Sequence, residues 1–496
     1  MSALGKDATA SGNLKRTIGI PGALGITFNQ IVGGGVIALT GTAIAVTGGG
    51  TPLAYILATA VVMLVTAPIA ALGAAMPTTG GAFTYASRLI HPVAGFANMW
   101  LWTLGNLSIS IYGLAAGQYL HSLVPAIDPV LIALAMLAIF FVVNLLGAST
   151  SSFVGIIIGV LMMSAFALFV VVGMFNIEWA VFAEPMPHGA LELFKAAALL
   201  SFATRGGQVI AEMGDELKNP GRAIPIAALG GTLLSGLLYV VLAIPATGVL
   251  PLGQVAGQPM TVVAEHILNP AGLGFFIFGG AVLALVGSLN SNMLWGTKAI
   301  LAAVEAGWFP RRLGAVNRRF GTPHWLLTLM FLIGVAPILL SLDMENIANA
   351  ASALQQINAV IILIASIRLR KLYPQLHAAS TFTIKLGVHK ALLVVGITVS
   401  CLQFVLLTSD LTGTVILSAL IWVGAGAAWC AWRYPRLRRQ NSVRDAAVRD
   451  ASGRDAAARD GSARDGSARE SSAQGSPARG TGGEEEPIRE HTSTDY

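Results

Sequence analysis

Uncharged apolar runs recur through the first 435 residues, separated by short polar breaks, and one stretch, Leu131 to Gly173, carries no charge at all. A hydrocarbon core about 30 Å thick needs roughly 20 apolar residues per helical crossing. Runs of that kind fall at 19–46, 53–76, 93–120, 129–147, 153–175, 193–213, 224–249, 272–303, 325–342, 345–367, 390–409 and 412–432. The pattern predicts an all-α polytopic membrane protein with twelve transmembrane helices. A lipid-facing barrel would instead alternate apolar and polar positions in strands of about ten residues.

The loop charges test this count, because Lys and Arg accumulate on the cytoplasmic side. With the N-terminus inside, the inward segments hold Lys6, Lys15, Arg16, Arg88, Lys218, Arg222, Arg311, Arg312, Arg318 and Arg319. Arg368, Arg370, Lys371, Lys385, Lys390, Arg433, Arg436, Arg438 and Arg439 follow on the same side. The outward loops hold Lys195 alone. Twelve spans with both termini cytoplasmic, in the plasma or inner membrane, are therefore expected, since an error of one span would scramble the asymmetry.

Composition agrees with a lipid solvent: 55% of residues are hydrophobic and 11% charged, against roughly 25% charged in soluble domains. The formal charge of +6 sits at helix ends and in the tail, without a basic face carrying aromatics, so no nucleic-acid partner is expected. Met1 to Arg16 is polar and the run after it outlasts an h-region, so no cleavable signal peptide is expected. Cys401 and Cys430 fall near opposite membrane faces, which indicates neither a disulfide framework nor a metal site. From Ser442 the chain repeats Arg followed by an acid every five residues, amid Ala, Gly and Ser. Such a segment cannot offset its ordering entropy, so 436–496 is expected to be a disordered cytoplasmic tail after a short cytoplasmic N-terminus, 1–18, and a helical domain, 19–435.

Two spans are interrupted. Gly33, Gly34 and Gly35 stand together in the first, at about 1 kcal/mol each against alanine in a helix, and three in a row favour unwinding over a four-spaced helix contact. Phe202-Ala203-Thr204-Arg205-Gly206-Gly207-Gln208 interrupts the sixth. Unwound backbone at membrane depth needs partners for its freed N–H and C=O groups, which a cavity and its solute supply. Interruptions at corresponding places in two halves point to an inverted-repeat transporter with its site at the midplane, the repeats being about 19–175 and 193–367, followed by two peripheral helices at 390–432.

The glycine triplet, Phe202 to Gln208 with Glu216-Leu217-Lys218-Asn219-Pro220 and Ile224-Pro225, Met76-Pro77-Thr78-Thr79-Gly80-Gly81-Ala82-Phe83-Thr84-Tyr85, and Gly307-Trp308-Phe309-Pro310 with Asn317 to Pro323 occur in one order over residues 19 to 325. Together they resemble the amino acid, polyamine and organocation permease family. The resemblance implies a five-plus-five inverted-repeat (LeuT-like) fold with broken helices 1 and 6, working by alternating access on an amino acid or a related small solute. By the same resemblance, Gly33, Gly34 and Gly35 present N–H groups to a carboxylate, and Ala203, Thr204 and Gly206 present backbone groups to an amine. Asn106, after Gly105, and Asn292 fall at positions that line the site in some members.

Arg205 and Gln208 depart from the family pattern: an apolar residue usually stands at the first, and a titratable Glu often at the second. An arginine near the membrane centre costs at least about 2.5–3.5 kcal/mol and normally marks a pathway. Its fork suits a carboxylate, which points to an acidic or anionic cargo, while a structural role in capping carbonyls or standing in for sodium stays open. Ser288, Asn290 and Ser291 are weak ion-ligand candidates, and Gln355, Gln356 and Asn358 are polar enough to line the pathway. Lys298 reads as snorkelling or helix pairing, and Glu212, Asp215 and Glu216 as inner-gate structure near Lys218 and Arg222. No cofactor is expected, and coupling to protons, to sodium or to exchange is left open. An exchanger or amine carrier, a solute sensor and a channel remain alternatives, whereas an intramembrane enzyme lacks any clustered catalytic groups.

Overall fold

Proline sets the starts of the helices in this chain. It occupies the first turn of helices beginning at Ile20, Thr51, Pro92, Pro129, Pro220 and Pro270, where its missing N–H is an orphan in any case and its fixed φ suits helix entry. The computed structural model describes residues 16–440 apart from 34, 185, 187, 318, 341–343, 410, 412 and 414. Among the described residues the chain is helical and contains no strand, and two isolated bridges pair Ile18 with Leu217 and Thr79 with Met213.

In chain order the helices that matter here are α1 (Ile20–Ile31), α2 (Gly35–Thr47), α3 (Thr51–Ala75), α4 (Gly81–Leu89), α5 (Pro92–Gly105), α6 (Ser108–Leu123), α7 (Pro129–Leu145), α8 (Ala148–Met174) and α9 (Ala190–Ala203). They continue with α10 (Pro220–Gly248), α11 (Pro270–Glu305), α12 (His324–Leu339), α13 (Met344–Leu372), α14 (Leu386–Ser409) and α15 (Val415–Gln440). Among the described residues seven runs are long and apolar enough to cross a membrane, and α7 and α12 are shorter apolar helices. One of the seven, Gly35–Ala75, is α2 and α3 joined at Gly48, whose φ of 57° lies where only glycine is comfortable.

One expected span needs correction. The run 93–120 is not one helix: it breaks at Asn106 and Leu107, where Asn106 N–H bonds Thr103 and Ile109 N–H bonds Asn106. An unbroken apolar stretch gave no hint of that turn. The run 193–213 breaks where the sequence is interrupted, ending as an α-helix at Ala203 and resuming as a tight 3-10 segment, Gly207–Glu212. The last helix extends to Gln440. Of the expected tail, 436–496, residues 441–496 lie outside the described residues.

The exterior is apolar where a soluble protein would be charged. Phe153 and Val160 on α8 are each 63% exposed, and Leu237, Leu332, Val394 and Leu420 are exposed on other helices. Large apolar side chains left in the open on so many helices, with polar ones inside, mark a surface solvated by lipid tails.

The interior polar groups tie helices together. Ser288 and Ser291 of α11 donate to the α1 carbonyls of Asn29 and Ile26 at 2.9 and 3.2 Å. Asn290 accepts from Ser151 and Asn144 at 2.9 and 3.0 Å and donates to the Ser151 carbonyl, while Asn29 reaches the Gly155 carbonyl at 2.6 Å. In this structure these weak ion-ligand candidates spend their polar atoms on helix contacts. On the far flank α15 is fastened to α5 by a reciprocal pair, the Trp100 indole donating to the Trp422 carbonyl and the Trp422 indole to the Trp100 carbonyl, with the rings stacked 4.5 Å apart.

Candidate functional site

The first break is held open by side chains from other helices. At its lower edge α1 ends at Ile31, whose carbonyl accepts the Tyr239 hydroxyl of α10 at 2.9 Å and the Gly33 N–H at 2.9 Å. Tyr239 packs tilted against Tyr55 of α3 at 5.4 Å, and the Tyr55 hydroxyl meets Thr40 of α2 at 2.8 Å. A phenol thus bonds a carbonyl at the end of the helix. Tyr239→Phe leaves the Gly33 N–H on that carbonyl and is expected to lower stability by about 0.5–1.5 kcal/mol, the net contribution of one hydrogen bond, read as a fall in the thermal-unfolding midpoint in detergent.

The second break turns on Gly206, whose φ of 144° admits no side chain without strain. A Cβ there would also press on Ile31 at 3.0 Å and Gln30 at 3.3 Å, so the two breaks approach one another closely. Between them lies a cavity of about 200 Å³. Its walls are Gln30, Ile31, Gly33 and Gly35 from the first break, Ala203, Arg205, Gly206, Gln208 and Val209 from the second, Trp102, Ser108, Ile111 and Tyr112 from α5 and α6, Ser288 and Trp295 from α11, and Gln355 and Gln356 from α13.

Helix ends give this cavity two electrostatic poles. Gly35 stands at the N-terminus of α2, with partial positive charge, whereas Ile31 and Ala203 stand at the C-termini of α1 and α9, with partial negative charge. The remaining walls include amides, two indoles, a phenol, two serine hydroxyls and the Arg205 guanidinium. Trp295 donates to Gln30 at 2.8 Å and meets Trp102 edge to face at 5.1 Å, which fixes one aromatic wall.

Among the described residues Arg205 is the only formal charge on the lining. Its two terminal nitrogens donate to Gln356 of α13 and, at 2.7 Å, to Gln403 of α14, and Gln403 in turn donates to Ser201 at 2.6 Å. Its Nε–H is buried without an acceptor. Among the described residues no salt bridge involves it. Neutral amides orient the guanidinium, and none of them cancels its charge.

Of the residues singled out in the sequence, the structure brings Gly33, Gly35, Ala203, Arg205, Gly206 and Gln208 to one cavity, and Gly34 lies outside the described residues. Thr204, Asn106 and Asn292 are buried but not on its lining. The Thr204 hydroxyl turns back to the carbonyls of Leu200 and Ser201, the Asn106 amide to Trp102, and the Asn292 amide to Ser108, itself a wall residue. Gln355 and Gln356 reach the cavity, and Asn358 a smaller neighbouring one. Gln30, Trp102, Ser108, Tyr112, Trp295 and Gln403 went unnoticed in the sequence, since isolated amides and aromatics in apolar runs carry no motif.

Beyond the second break, the segment 212–218 is tied to the entry of α4 and to α11. Glu212 and Asp215 accept the N–H groups of Ala82 and Thr79 at 2.7 and 3.0 Å, placing carboxylates on the positive end of α4. Gly80, with φ 63° and its N–H bonded to the Glu212 carbonyl, lets the chain enter α4 there. Lys298 of α11 does not snorkel: it is buried and pairs with Glu216 at 2.9 Å, whose backbone carbonyl also receives the N–H of Ile18. Glu216 therefore takes Lys298 rather than Lys218 or Arg222.

A family model described as an amino acid permease matches residues 18–428. The chain is 26% identical to the serine/threonine exchanger SteT of Bacillus subtilis over 343 residues, covering 67% of this chain and 78% of the relative. It is 27% identical over 400 residues to the branched-chain amino acid permease BcaP of that organism, covering 74% and 83%. It is 24% identical over 425 residues to the methylthioribose transporter of the same organism, covering 80% and 88%.

Proposed function

The chain belongs to the amino acid permease family, and on that premise we propose that it moves an acidic amino acid or a related anionic solute across the cell membrane by alternating access. It is a transporter rather than an enzyme, as are the curated relatives it matches. The observation that carries the choice of cargo is Arg205, a full positive charge on the cavity wall held only by Gln356 and Gln403.

The cavity's poles suit an amino acid's main chain. A carboxylate gains from the N-terminus of α2 at Gly35, and an ammonium from the carbonyl ends of α1 and α9 at Ile31 and Ala203. Those interactions balance a zwitterion and leave Arg205 over. A side-chain carboxylate on the cargo would neutralise it with charge-assisted bonds, whereas a neutral side chain would leave a desolvated cation uncompensated. The relatives are named for serine/threonine, branched-chain amino acid and methylthioribose transport, so membership alone does not choose among cargoes.

The same reading takes α1 with α2, α5 with α6, and α9 with its 3-10 continuation as single crossings, which gives twelve spans and cytoplasmic ends. It pairs the broken first and sixth spans as equivalents in two inverted repeats, 19–175 and 193–367. Gln403 on α14 means that a helix outside those repeats buttresses the site.

The test is a thermal-shift screen of purified protein against acidic, neutral and basic amino acids and simple carboxylates, since a ligand stabilises the state it binds by mass action. At one hundred times Kd the expected stabilisation is about 2.7 kcal/mol, with L-glutamate and L-aspartate above L-leucine and L-arginine. Stabilisation by leucine or arginine and none by the acids would overturn the anionic reading. Counterflow of the same labelled solutes in liposomes separates carriage from sensing, because a sensor binds without exchange.

A further inference from the structure

A second, smaller cavity of about 30 Å³ adjoins the first and shares Trp102, Arg205, Gln208 and Gln355 with it. About 10–15 Å³ suffices for one buried water molecule, so this space is large enough for a water or two. Glu212 also lines it. That side chain is 4% exposed, one of its oxygens accepts the Ala82 N–H at 2.7 Å, and the other, Oε2, has no partner.

The neighbouring ionisable groups are otherwise engaged. Asp215 accepts the Thr79 N–H, Glu216 is paired with Lys298, and the Tyr85 phenol of α4 lies 3.5 Å from the Ala211 carbonyl. From α3, α5 and α13 the small cavity is faced by Ile69, Trp102, Gln355 and Asn358, none of them charged. Among the described residues Arg205 is therefore the one cation on the space that Glu212 lines. Arg205 and Glu212 line one water-sized space, the first without an ion pair and the second with an open oxygen.

We propose that Glu212 is a proton-binding site linked to the cargo site through Arg205, so that an anionic cargo and one proton bind together. With the cargo site empty, Arg205 makes no ion pair with Glu212, and its field reaches the carboxylate only through the small cavity they both line. When an anion enters the main cavity it takes the guanidinium, and Glu212 is left as an uncompensated buried charge, which a proton from the water reaching the cavity removes at Oε2. The carboxylate becomes a carboxylic acid, no other bond changes, and the proton is returned to water on the side where the cargo leaves. By reciprocity, protonation of Glu212 strengthens anion binding by the same factor. A singly charged anion and one proton cross as a neutral pair.

The coupling to an anion rests on the reading of Arg205 given above, whereas the proton site itself does not. The experiment uses the full chain in proteoliposomes with radiolabelled L-glutamate and L-leucine. An acidic exterior is expected to drive accumulation of glutamate, while a potassium-valinomycin potential imposed without a pH difference drives none. Glu212→Gln loses the response to the pH gradient, and Asp215→Asn keeps it. Infrared difference spectra of the reconstituted protein between acid and alkaline buffer, without any cargo, are expected to contain a protonated-carboxyl band that Glu212→Gln removes. Gradient-driven leucine uptake that needs Glu212 would overturn the anionic cargo and keep the proton site. Glutamate accumulation that ignores the gradient in the wild type, or survives unchanged in Glu212→Gln, would overturn the linkage. If Glu212→Gln is recovered unfolded, Glu212→Asp must keep the band and the gradient response, and loss of both would count against the proposal. Absence of the band from the wild type would overturn the proton site whichever solute is carried.

Discussion

Lys298→Ala is expected to destabilise the protein by about 3–5 kcal/mol, and Glu216→Ala by a similar amount, because each leaves the other charge buried and alone. The pair is 2.9 Å apart, with both side chains 3% exposed or less. Glu216 Oε2 has no further donor, so it holds no reserve partner once the ammonium has gone. The neutral double variant Lys298→Met with Glu216→Leu removes both charges and both desolvation costs, and it should recover most of the loss. Thermal unfolding in detergent and the yield of monodisperse protein read all three variants. A double variant no more stable than the worse single would show that the two charges do not act on one another. The position of the pair gives the result further weight: Glu216 also receives Ile18 through its backbone, so one contact locks the α11 interior, the gate segment and the start of α1.

How much of this was visible in the sequence depends on the range of the interaction. Gly33 and Gly206 announced the breaks because a residue's backbone freedom is its own property, independent of what it later packs against. Arg205 was conspicuous as a charge inside an apolar run. What it touches was not, since Gln356 and Gln403 lie 151 and 198 residues away and no period relates them. Helix α14 read as peripheral from its place after the second repeat, yet Gln403 reaches the site from it. The gate shows the same limit: that Glu212, Asp215 and Glu216 cluster was plain, whereas which cation Glu216 would take depended on how α11 packs. The turn at Asn106 was hidden because a two-residue irregularity does not disturb hydropathy.

The choice of cargo comes down to Arg205, and replacing it should separate cargo from scaffold. Arg205→Met is expected to lower binding of L-glutamate by at least about 2 kcal/mol, thirtyfold or more, the usual result of truncating one partner of a desolvated charge pair. L-leucine binding should not fall with it. Stability has two opposing contributions: removing a cation with no counter-ion relieves a desolvation cost, and orphaning the Gln356 and Gln403 oxygens adds about 1–3 kcal/mol each. Their partial cancellation predicts a modest change in the unfolding midpoint beside a large loss of glutamate binding. Arg205→Lys keeps the charge but not the fork that two glutamines orient at once, so glutamate binding should be intermediate. A guanidinium that merely caps the broken helix would give the reverse: a large fall in stability with methionine, and glutamate binding unchanged in whatever folded protein remained.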